Sequence, residues 1–281
     1  MRVTVCELPH EPGALAAAWA ALCEHTWRHR SELVLLPEFA MVEAVWEHPR
    51  FDAERWARVE AVSDGWLQLL PELHPAHVVG TRPVTVDGRR FNEGYIHSPR
   101  APLVPLRRKV HLPSEPGAWE ARWFDRGDRE FAVFHAGSVS FGLNICTELW
   151  ALESYAAYAA EDVQMILSPR ATAAATTAKW LSVGVVAAVR SGAFSLSSNR
   201  VDPAGACGGV GWIISPDGRI LASTTAEAPF ATMDIDLAAS AAARVGYPCS
   251  VFRPEPRDLP RGLPGHDGIR RARGGSDRGP R

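Results

Sequence analysis

The first hundred residues alternate between short apolar runs and longer segments with a helical pattern. We predict strands at Arg2–Cys6, Leu33–Leu36 and His77–Thr81, separated by helices at Gly13–Arg28 and Asp52–Leu70. Strands that alternate with helices in this way are typical of α/β folds, in which helices cover the outer faces of a sheet. This order of elements is the strongest constraint that the sequence places on the fold.

Glycine-containing turns later in the chain indicate hairpins. Asp87-Gly88, Ala136-Gly137 and Pro216-Asp217-Gly218 each separate two runs with strand character. Because hairpins join antiparallel strands, we expect mixed sheets with helices on their outer faces. The further strands that we predict are Val84–Val86, Phe91–His97, Leu103–Arg108, Phe131–His135, Ser138–Ile145, Val163–Leu167, Ala193–Ser198, Gly211–Ile214, Arg219–Ala222 and Phe230–Ile235, and the further helices are Trp150–Ala160 and Ala178–Arg190.

The size and composition of the chain indicate a globular domain with a tail. The 281 residues are 46 % hydrophobic and 22 % charged, which excludes bulk disorder and a disulfide-stapled miniprotein. Composition changes near Pro254, because the last 28 residues contain six glycines, five prolines and seven arginines but few apolar side chains. We therefore predict one domain over residues 1–253 and a flexible tail over residues 254–281.

Charge and cysteine usage restrict the partners and the cellular compartment. A net charge of −2 gives no general attraction to nucleic acid, and no apolar run has the roughly 18 residues needed to cross a membrane. The five cysteines are odd in number, widely spaced and free of any C-x-x-C pair, which favours a reducing, cytoplasmic setting. The histidines and cysteines show no zinc-site spacing, so we expect neither a metal nor a cofactor.

Three residues with reactive side chains each follow a predicted strand. Glu38 follows the strand that ends at Leu36, Lys109 follows the strand that ends at Arg108, and Cys146 follows the strand that ends at Ile145. Ligand sites in α/β folds collect at the carboxyl ends of strands. If these strands are neighbours, the three side chains converge on one crevice.

The chemistry of these three residues is complementary. A thiol is a strong nucleophile only as the thiolate, and Glu38 is suited to take the proton of Cys146. Lys109 supplies a positive charge that favours the thiolate and an oxyanion, and the backbone N–H of Thr147 is a second oxyanion donor at the start of the next helix. Only two of the 30 basic residues are lysines, Lys109 and Lys179, so a lysine at position 109 needs a specific reason.

The segments around these residues resemble the nitrilase or carbon-nitrogen hydrolase superfamily. LLPEFA (35–40) is similar to the segment of the family's base glutamate, at Glu38, and RRKVHLP (107–113) to its lysine segment. GAWEARWFDRGDREFAVF (117–134) is similar to the segment with a second active-site glutamate, at Glu120, and NICTELWALE (144–153) to the segment of the nucleophilic cysteine. Four motifs in the family's order, with shorter likenesses such as Phe91-Asn92 and Ser198-Asn199-Arg200 between them, extend the resemblance over residues 1–250.

The resemblance implies a fold, a reaction and an assembly. The fold is a four-layer α-β-β-α sandwich, with two mixed β-sheets packed face to face and helices outside. The reaction is hydrolysis of a carbon-nitrogen bond without a metal, in which Glu120 positions the substrate or assists proton transfer near Glu38. The assembly is a homodimer or a higher homo-oligomer.

The sequence also departs from the family pattern around the expected substrate site. Thr147 stands where an aromatic residue is common, and Leu152 replaces a usual proline. Arg170 follows the predicted strand Val163–Leu167 and is expected near the crevice, where a guanidinium could hold a substrate carboxylate. The alternative for Arg170 is a structural ion pair with Glu148 or Glu153.

We therefore predict a cysteine-dependent hydrolase that cleaves a small amide or carbamoyl compound through a thioester. Cys146 attacks the carbonyl carbon, Glu38 accepts the proton, and Lys109 and the Thr147 N–H hold the oxyanion. Three alternatives stay open: a nitrilase with the same residues, an enzyme that passes the acyl group to an amine, and a binding or regulatory protein on the same fold.

Overall fold

Twelve strands form one large mixed sheet within residues 1–128 and 131–252, which are the part of the chain that the computed structural model describes. The strands are β1 (Arg2–Leu8), β2 (Leu33–Leu35), β3 (His77–Val86), β4 (Arg89–His97), β5 (Val104–Arg108), β6 (Val133–Ala136), β7 (Val139–Leu143), β8 (Met165–Arg170), β9 (Phe194–Arg200), β10 (Trp212–Ile214), β11 (Ile220–Ser223) and β12 (Phe230–Asp234). The main path runs β5-β4-β3-β2-β1-β9-β8-β7-β6.

The sheet has two halves that meet at β1 and β9. Along its first five residues β1 pairs antiparallel with β12, and through Val3–Val5 it pairs parallel with β2. Its last two residues, Glu7 and Leu8, pair instead with Asn199 and Arg200 at the end of β9. The first half therefore contains β12 and β1 to β5, and the second contains β6 to β11.

Six α-helices accompany the sheet in the described residues, with several short 3-10 helices. They are α1 (Pro12–His29), α2 (Ala53–Leu67), α3 (Glu120–Trp123), α4 (Leu152–Ala160), α5 (Thr177–Ser191) and α6 (Ala238–Val245). As predicted, Asp52 caps α2, because its side chain accepts a hydrogen bond from the Arg55 N–H at 3.0 Å. None of these helices is long and apolar enough to cross a membrane.

Buried side chains form three clusters. One joins α1 and α2 to the first half, with Trp19 and Trp56 among its members. A second contains residues of both halves, with Leu35 and Phe141 among its members. A third packs Tyr158 of α4 and the middle of α5 onto the second half. The expected mixed α/β fold with helices against a large mixed sheet is confirmed, whereas the division into four layers stays a prediction.

Most differences from the predicted elements have a local cause. The two strands predicted on either side of Arg82 are one strand, β3, which contains Pro83. Proline is tolerated there because β3 pairs with β2 only through His77–Val79, so the neighbourhood of Pro83 has a strand on one side. The helix expected from Trp150 begins at Leu152, because Cys146–Trp150 forms a 3-10 helix. The predicted tail, residues 254–281, lies outside the described residues.

Candidate active site

Glu38, Lys109 and Glu120 form a buried cluster at the ends of β2 and β5. Lys109 is the first residue after β5, and its Nζ donates to Glu38 Oε1 at 2.7 Å. The same Nζ donates to Glu120 Oε1, also at 2.7 Å, from the first turn of α3. All three side chains are nearly inaccessible to solvent, with Lys109 at 0 % exposure. The structure thus brings Glu38 into contact with Lys109, 71 residues later in the sequence, and Lys109 into contact with Glu120.

Asn92 of β4 is a fourth member of this cluster and was not predicted as a site residue from the sequence. Its Nδ2 donates to Glu38 Oε1 at 2.8 Å, and its backbone carbonyl accepts from the Lys109 N–H at 2.8 Å. The side chain therefore fixes the glutamate while the main chain fixes the lysine. The short likeness at Phe91-Asn92 was the available signal for it.

Cys146 lies at a sharp turn between β7 and a 3-10 helix. Its φ of 50° places it in the left-handed region, which non-glycine residues seldom adopt, and Phe39, directly after Glu38, has a φ of 48°. Such conformations cost free energy and persist where the surroundings enforce them, commonly at functional sites. Two of the segments that carry candidate catalytic residues therefore have constrained backbones.

Glu148 enforces the geometry of this turn. Its side chain accepts hydrogen bonds from the Ile145 N–H at 3.0 Å and from the Val110 N–H at 2.7 Å, and it forms a buried ion pair with Arg107. Ile145 precedes Cys146 and Val110 follows Lys109, so one carboxylate joins the two segments. Glu148 is a structural clamp between candidate catalytic residues.

The electrostatics of the cluster oppose formation of a free thiolate. Burial raises the pKa of Cys146 well above its ordinary value, and the charge of Glu38 raises it further, while Lys109 only partly lowers it. The charge of Lys109 favours the thiolate, as expected, but burial and the charge of Glu38 outweigh it. An α-helix does not start beside the thiol either, because α4 begins six residues later. A base that removes the proton during the reaction is required.

Burial shifts the pKa values of Lys109 and Glu120 in opposite directions. For Lys109, burial lowers the pKa, but the charges of Glu120 and Glu38 outweigh it, and the pKa is raised above the ordinary value. Lys109 is therefore a permanent cation. For Glu120, burial raises the pKa to about 7, although Lys109 pulls it down. Glu120 can thus change its protonation state near neutral pH.

A cavity of about 600 Å³ opens onto this cluster. Cys146, Thr147 and Glu120 are among its lining residues, so the candidate nucleophile and one carboxylate face the same space. A cavity of this size can hold a small molecule. Within the described part of the chain, no group of at least three histidine, cysteine, aspartate or glutamate side chains is arranged to hold a metal ion.

Arg170 contacts neither open space for a substrate carboxylate nor Glu148 or Glu153, the two environments predicted for it. It is the last residue of β8, it is fully buried, and its guanidinium donates to Ser197 Oγ at 2.6 Å, Thr172 Oγ1 at 2.7 Å and the Val210 carbonyl at 2.6 Å. The group also lies 4.0 Å from the centre of the Trp212 ring. With each nitrogen engaged and no exposure to the cavity, this geometry supports neither carboxylate binding nor a pair with Glu148 or Glu153.

The backbone around Arg170 does contribute to the site. Its carbonyl accepts a hydrogen bond from the Glu38 N–H at 3.1 Å. The next residue, Ala171, hydrogen-bonds to Cys146 through its backbone and lines the cavity. Arg170 therefore holds one wall of the site in place without contacting the cavity itself.

A model of the carbon-nitrogen hydrolase family matches residues 2–245. The chain belongs to this family. A solved carbon-nitrogen hydrolase from Helicobacter pylori G27 has a TM-score of 0.79 at 18 % identity, over 90 % of this chain and 95 % of that one. An amidase from Nesterenkonia sp. has a TM-score of 0.70 at 20 % identity, over 84 % of this chain and 90 % of that one. The resemblance to the nitrilase superfamily is confirmed, and at these identities the two structures establish a shared fold.

Sequence comparison with curated proteins gives a shorter match. An N-carbamoylputrescine amidase from Solanum lycopersicum is 35 % identical over 66 residues, which is 24 % of this carbon-nitrogen hydrolase and 22 % of the relative. A protein of the same name from Solanum tuberosum matches to the same extent. The chain thus spans about a fifth of the length of the curated relatives that it matches.

Proposed function

We propose that this carbon-nitrogen hydrolase cleaves a linear amide or a carbamoyl compound through a thioester on Cys146. The observation that carries the proposal is the buried contact of Lys109 Nζ with both Glu38 and Glu120, at the floor of a cavity that Cys146 lines. A base, a fixed cation and a nucleophile in one enclosed site are the groups that acyl transfer requires.

The reaction begins with attack on the carbonyl carbon. As the Cys146 Sγ forms a bond to this carbon, Glu38 accepts the thiol proton and the carbonyl oxygen becomes an oxyanion. Lys109 and the Thr147 N–H stabilise that oxyanion. Proton transfer is coupled to attack because burial and the charge of Glu38 raise the pKa of Cys146, so that a free thiolate is disfavoured.

The second half of the reaction releases the two products. The carbon-nitrogen bond breaks as protonated Glu38 returns the proton to the leaving nitrogen, and ammonia or an amine departs. Water then attacks the thioester carbon while Glu38 takes one of its protons, and that proton returns to the Cys146 sulfur as the acid leaves. Glu120 stays hydrogen-bonded to Lys109 and positions it during both steps.

An amide or carbamoyl substrate is preferred to a nitrile on two grounds. The cysteine segment reads Cys-Thr-Glu-Leu-Trp, which lacks the Cys-Trp-Glu pattern associated with nitrilases. The names of the amidase from Nesterenkonia sp. and of the two N-carbamoylputrescine amidases agree with that preference. The intact Glu38, Lys109, Glu120 and Cys146 argue against a purely binding or regulatory role.

The proposal also includes a homodimer, a four-layer sandwich fold and a cytoplasmic location. Exposed Trp150 and Leu152 beside α4, with Val186 on the adjacent α5, support a homodimer formed through these helices. The core cluster shared by the two halves of the sheet supports the four-layer sandwich. The odd number and wide spacing of the five cysteines support a cytoplasmic location.

The test is ammonia release from a panel of linear amides, carbamoyl compounds and nitriles, with mass spectrometry of the intact protein. We expect turnover of amides or carbamoyl compounds, with an acyl adduct on Cys146. The Cys146→Ala variant should lose both signals, while Cys23→Ser, which changes a thiol on α1, should keep them. Turnover of nitriles alone, discharge of the adduct only to amines, or no turnover in the panel would each overturn the proposal in favour of the corresponding alternative.

A further inference from the structure

We propose that the Thr172 hydroxyl donates a hydrogen bond to the substrate, so that the enzyme prefers amides with a hydroxyl or carbonyl oxygen on the carbon next to the scissile carbonyl. This inference rests on the proposed function, because it names the substrate class of the same site. Thr172 lines the same cavity as Cys146 and has 6 % exposure. The proposal makes Thr172 a residue that determines specificity.

The hydroxyl of Thr172 has a hydrogen without an acceptor among the described residues. Its Oγ1 accepts a hydrogen bond from Arg170 Nη1 at 2.7 Å. A guanidinium has donors only, so the hydroxyl cannot donate to Arg170 in return. Ser197 shows the contrast, because its Oγ accepts from Arg170 Nε at 2.6 Å and also donates to the Ser168 carbonyl at 2.6 Å. The Thr172 hydroxyl is therefore free to donate at the wall of the cavity.

The charge of Arg170 makes this hydroxyl a stronger donor. The guanidinium is fully buried, and it donates to two hydroxyls and the Val210 carbonyl, none of which carries a charge. Burial lowers the pKa of Arg170 to about 9, which leaves it a cation at neutral pH. A hydroxyl that accepts a hydrogen bond from a cation is polarised and donates more strongly in turn. Arg170 thus acts on the cavity through Thr172, although Arg170 itself does not line it.

The end of β8 places Thr172 beside the reacting atoms. The Arg170 carbonyl accepts from the Glu38 N–H at 3.1 Å, so this end of the strand lies against the segment of the candidate base. Ala171, the next residue, hydrogen-bonds to Cys146 through its backbone. A substrate with its carbonyl carbon at Cys146 therefore has its next carbon close to Thr172.

The main chain at Thr172 is held in place on both sides. Its N–H donates to Asn199 Oδ1 at 2.9 Å, and its carbonyl accepts from Asn199 Nδ2 at 3.1 Å and from the Gly208 N–H at 2.8 Å. A donor that is already fixed loses little freedom when the substrate binds. A substrate with a methyl group in place of the oxygen would leave this buried donor unpaired, which is the basis of strong discrimination.

Two amides of similar size test the proposal. In 2-hydroxypropanamide and 2-methylpropanamide, the same carbon carries a hydroxyl or a methyl group. We expect the higher kcat/KM for the hydroxyl compound. Thr172→Val removes the donor and should lower the ratio of the two kcat/KM values by about 10-fold, whereas Thr172→Ser should keep the ratio.

Thr176→Val is the matched control. Thr176 lines the same cavity, but its hydroxyl donates to the Ala173 carbonyl at 2.8 Å. Its hydrogen is therefore already used within the protein, and the substitution should leave the ratio of kcat/KM values unchanged.

Protection of Cys146 against iodoacetamide measures binding without turnover. Peptide mapping follows alkylation of Cys146 separately from that of Cys207, which also lines the cavity. We expect 2-hydroxypropanamide to protect Cys146 at a lower concentration than 2-methylpropanamide does. Thr172→Val should abolish this difference, and Thr176→Val should keep it.

The two measurements separate this inference from the proposed function. Protection that depends on the Thr172 hydroxyl, without hydrolysis of any amide, would refute the proposed function and leave the inference standing. Hydrolysis with no preference for 2-hydroxypropanamide would refute the inference and leave the function standing. The inference would also be wrong if 2-hydroxypropanamide gave no protection, if Thr172→Val kept the preference, or if Thr176→Val lost it.

Discussion

Replacing Lys109 by arginine tests whether this site needs a lysine or only a positive charge. Lys109 Nζ is a single atom that donates to Glu38 Oε1 and to Glu120 Oε1, both at 2.7 Å, inside a fully buried site. A guanidinium is planar and broader, and it holds its donors in a fixed fork. It cannot place one nitrogen at this point without displacing a carboxylate or entering the space of the oxyanion.

The size of the effect follows from the role assigned to Nζ. Loss of one oxyanion donor costs about 100-fold or more in kcat, so Lys109→Arg should lose at least that much. Lys109→Met should in addition leave two buried carboxylates without their cation, at a cost of about 3–5 kcal/mol in the free energy of unfolding. That corresponds to a fall in Tm on the order of 10 °C.

The assay is ammonia release on the best amide, with Tm measured for each variant. Lys179→Arg is the matched control, because Lys179 is the other lysine of the chain and lies exposed on α5. We expect Lys179→Arg to keep both turnover and Tm. Near-normal turnover by Lys109→Arg would show that any cation suffices there, and that the two short contacts of Nζ do not require a lysine.

Three further predictions follow from the same cluster. Glu38→Gln should lower kcat by at least about 100-fold yet speed alkylation of Cys146 by iodoacetamide, because burial and then the charge of Glu38 raise the pKa of that thiol and the substitution removes the charge; a parallel loss of alkylation would contradict this. Glu148→Gln should cost about 3–5 kcal/mol in the free energy of unfolding, measured by urea titration, because it leaves Arg107 buried without its partner; an unchanged midpoint would rule out the clamp. In the folded protein burial raises the pKa of Glu120 from 4.5 to about 7, so between these pH values the folded state binds a proton that the unfolded state does not. The free energy of unfolding should therefore fall as pH rises across that window, by on the order of 3 kcal/mol. Glu120→Gln should remove this pH dependence, and a dependence that persists would assign it to another group.

The sequence was most informative where local pattern and chemistry coincide. Glu38, Lys109 and Cys146 each follow a short apolar run, and the structure places each of them just after a strand. Their convergence depends on the strand order, because the strands before them, β2, β5 and β7, are not neighbours in the sheet. Apolar periodicity shows where a strand ends but not which strand lies beside it. The prediction that the three side chains converge therefore depended on the family motifs.

The sequence was least informative about side-chain partners. Arg107, Arg170 and Arg200 have the same side chain, yet Arg107 pairs with Glu148, Arg170 donates to neutral oxygens, and Arg200 donates to a single carbonyl. The partner of each arginine depends on contacts with residues that are far apart in the chain. The spacing of residues in the sequence does not show these contacts. Arg170 illustrates this, because a guanidinium near a strand end can bind a substrate carboxylate only if the cavity reaches it, and Arg170 is not among the residues that line the cavity.

The balance of buried charge explains why the nucleophile and its base must be adjacent. With Cys146 as a thiol, the carboxylates of Glu38 and Glu120 face the single cation of Lys109. Release of the thiol proton to solvent would add a further negative charge to an enclosed site, and burial penalises that state. Transfer of the proton from Cys146 to Glu38 keeps the total charge constant, since one anion forms as another is neutralised. The negative charge then moves from the sulfur to the substrate oxygen beside Lys109, where it is stabilised by a cation that cannot lose its proton at neutral pH.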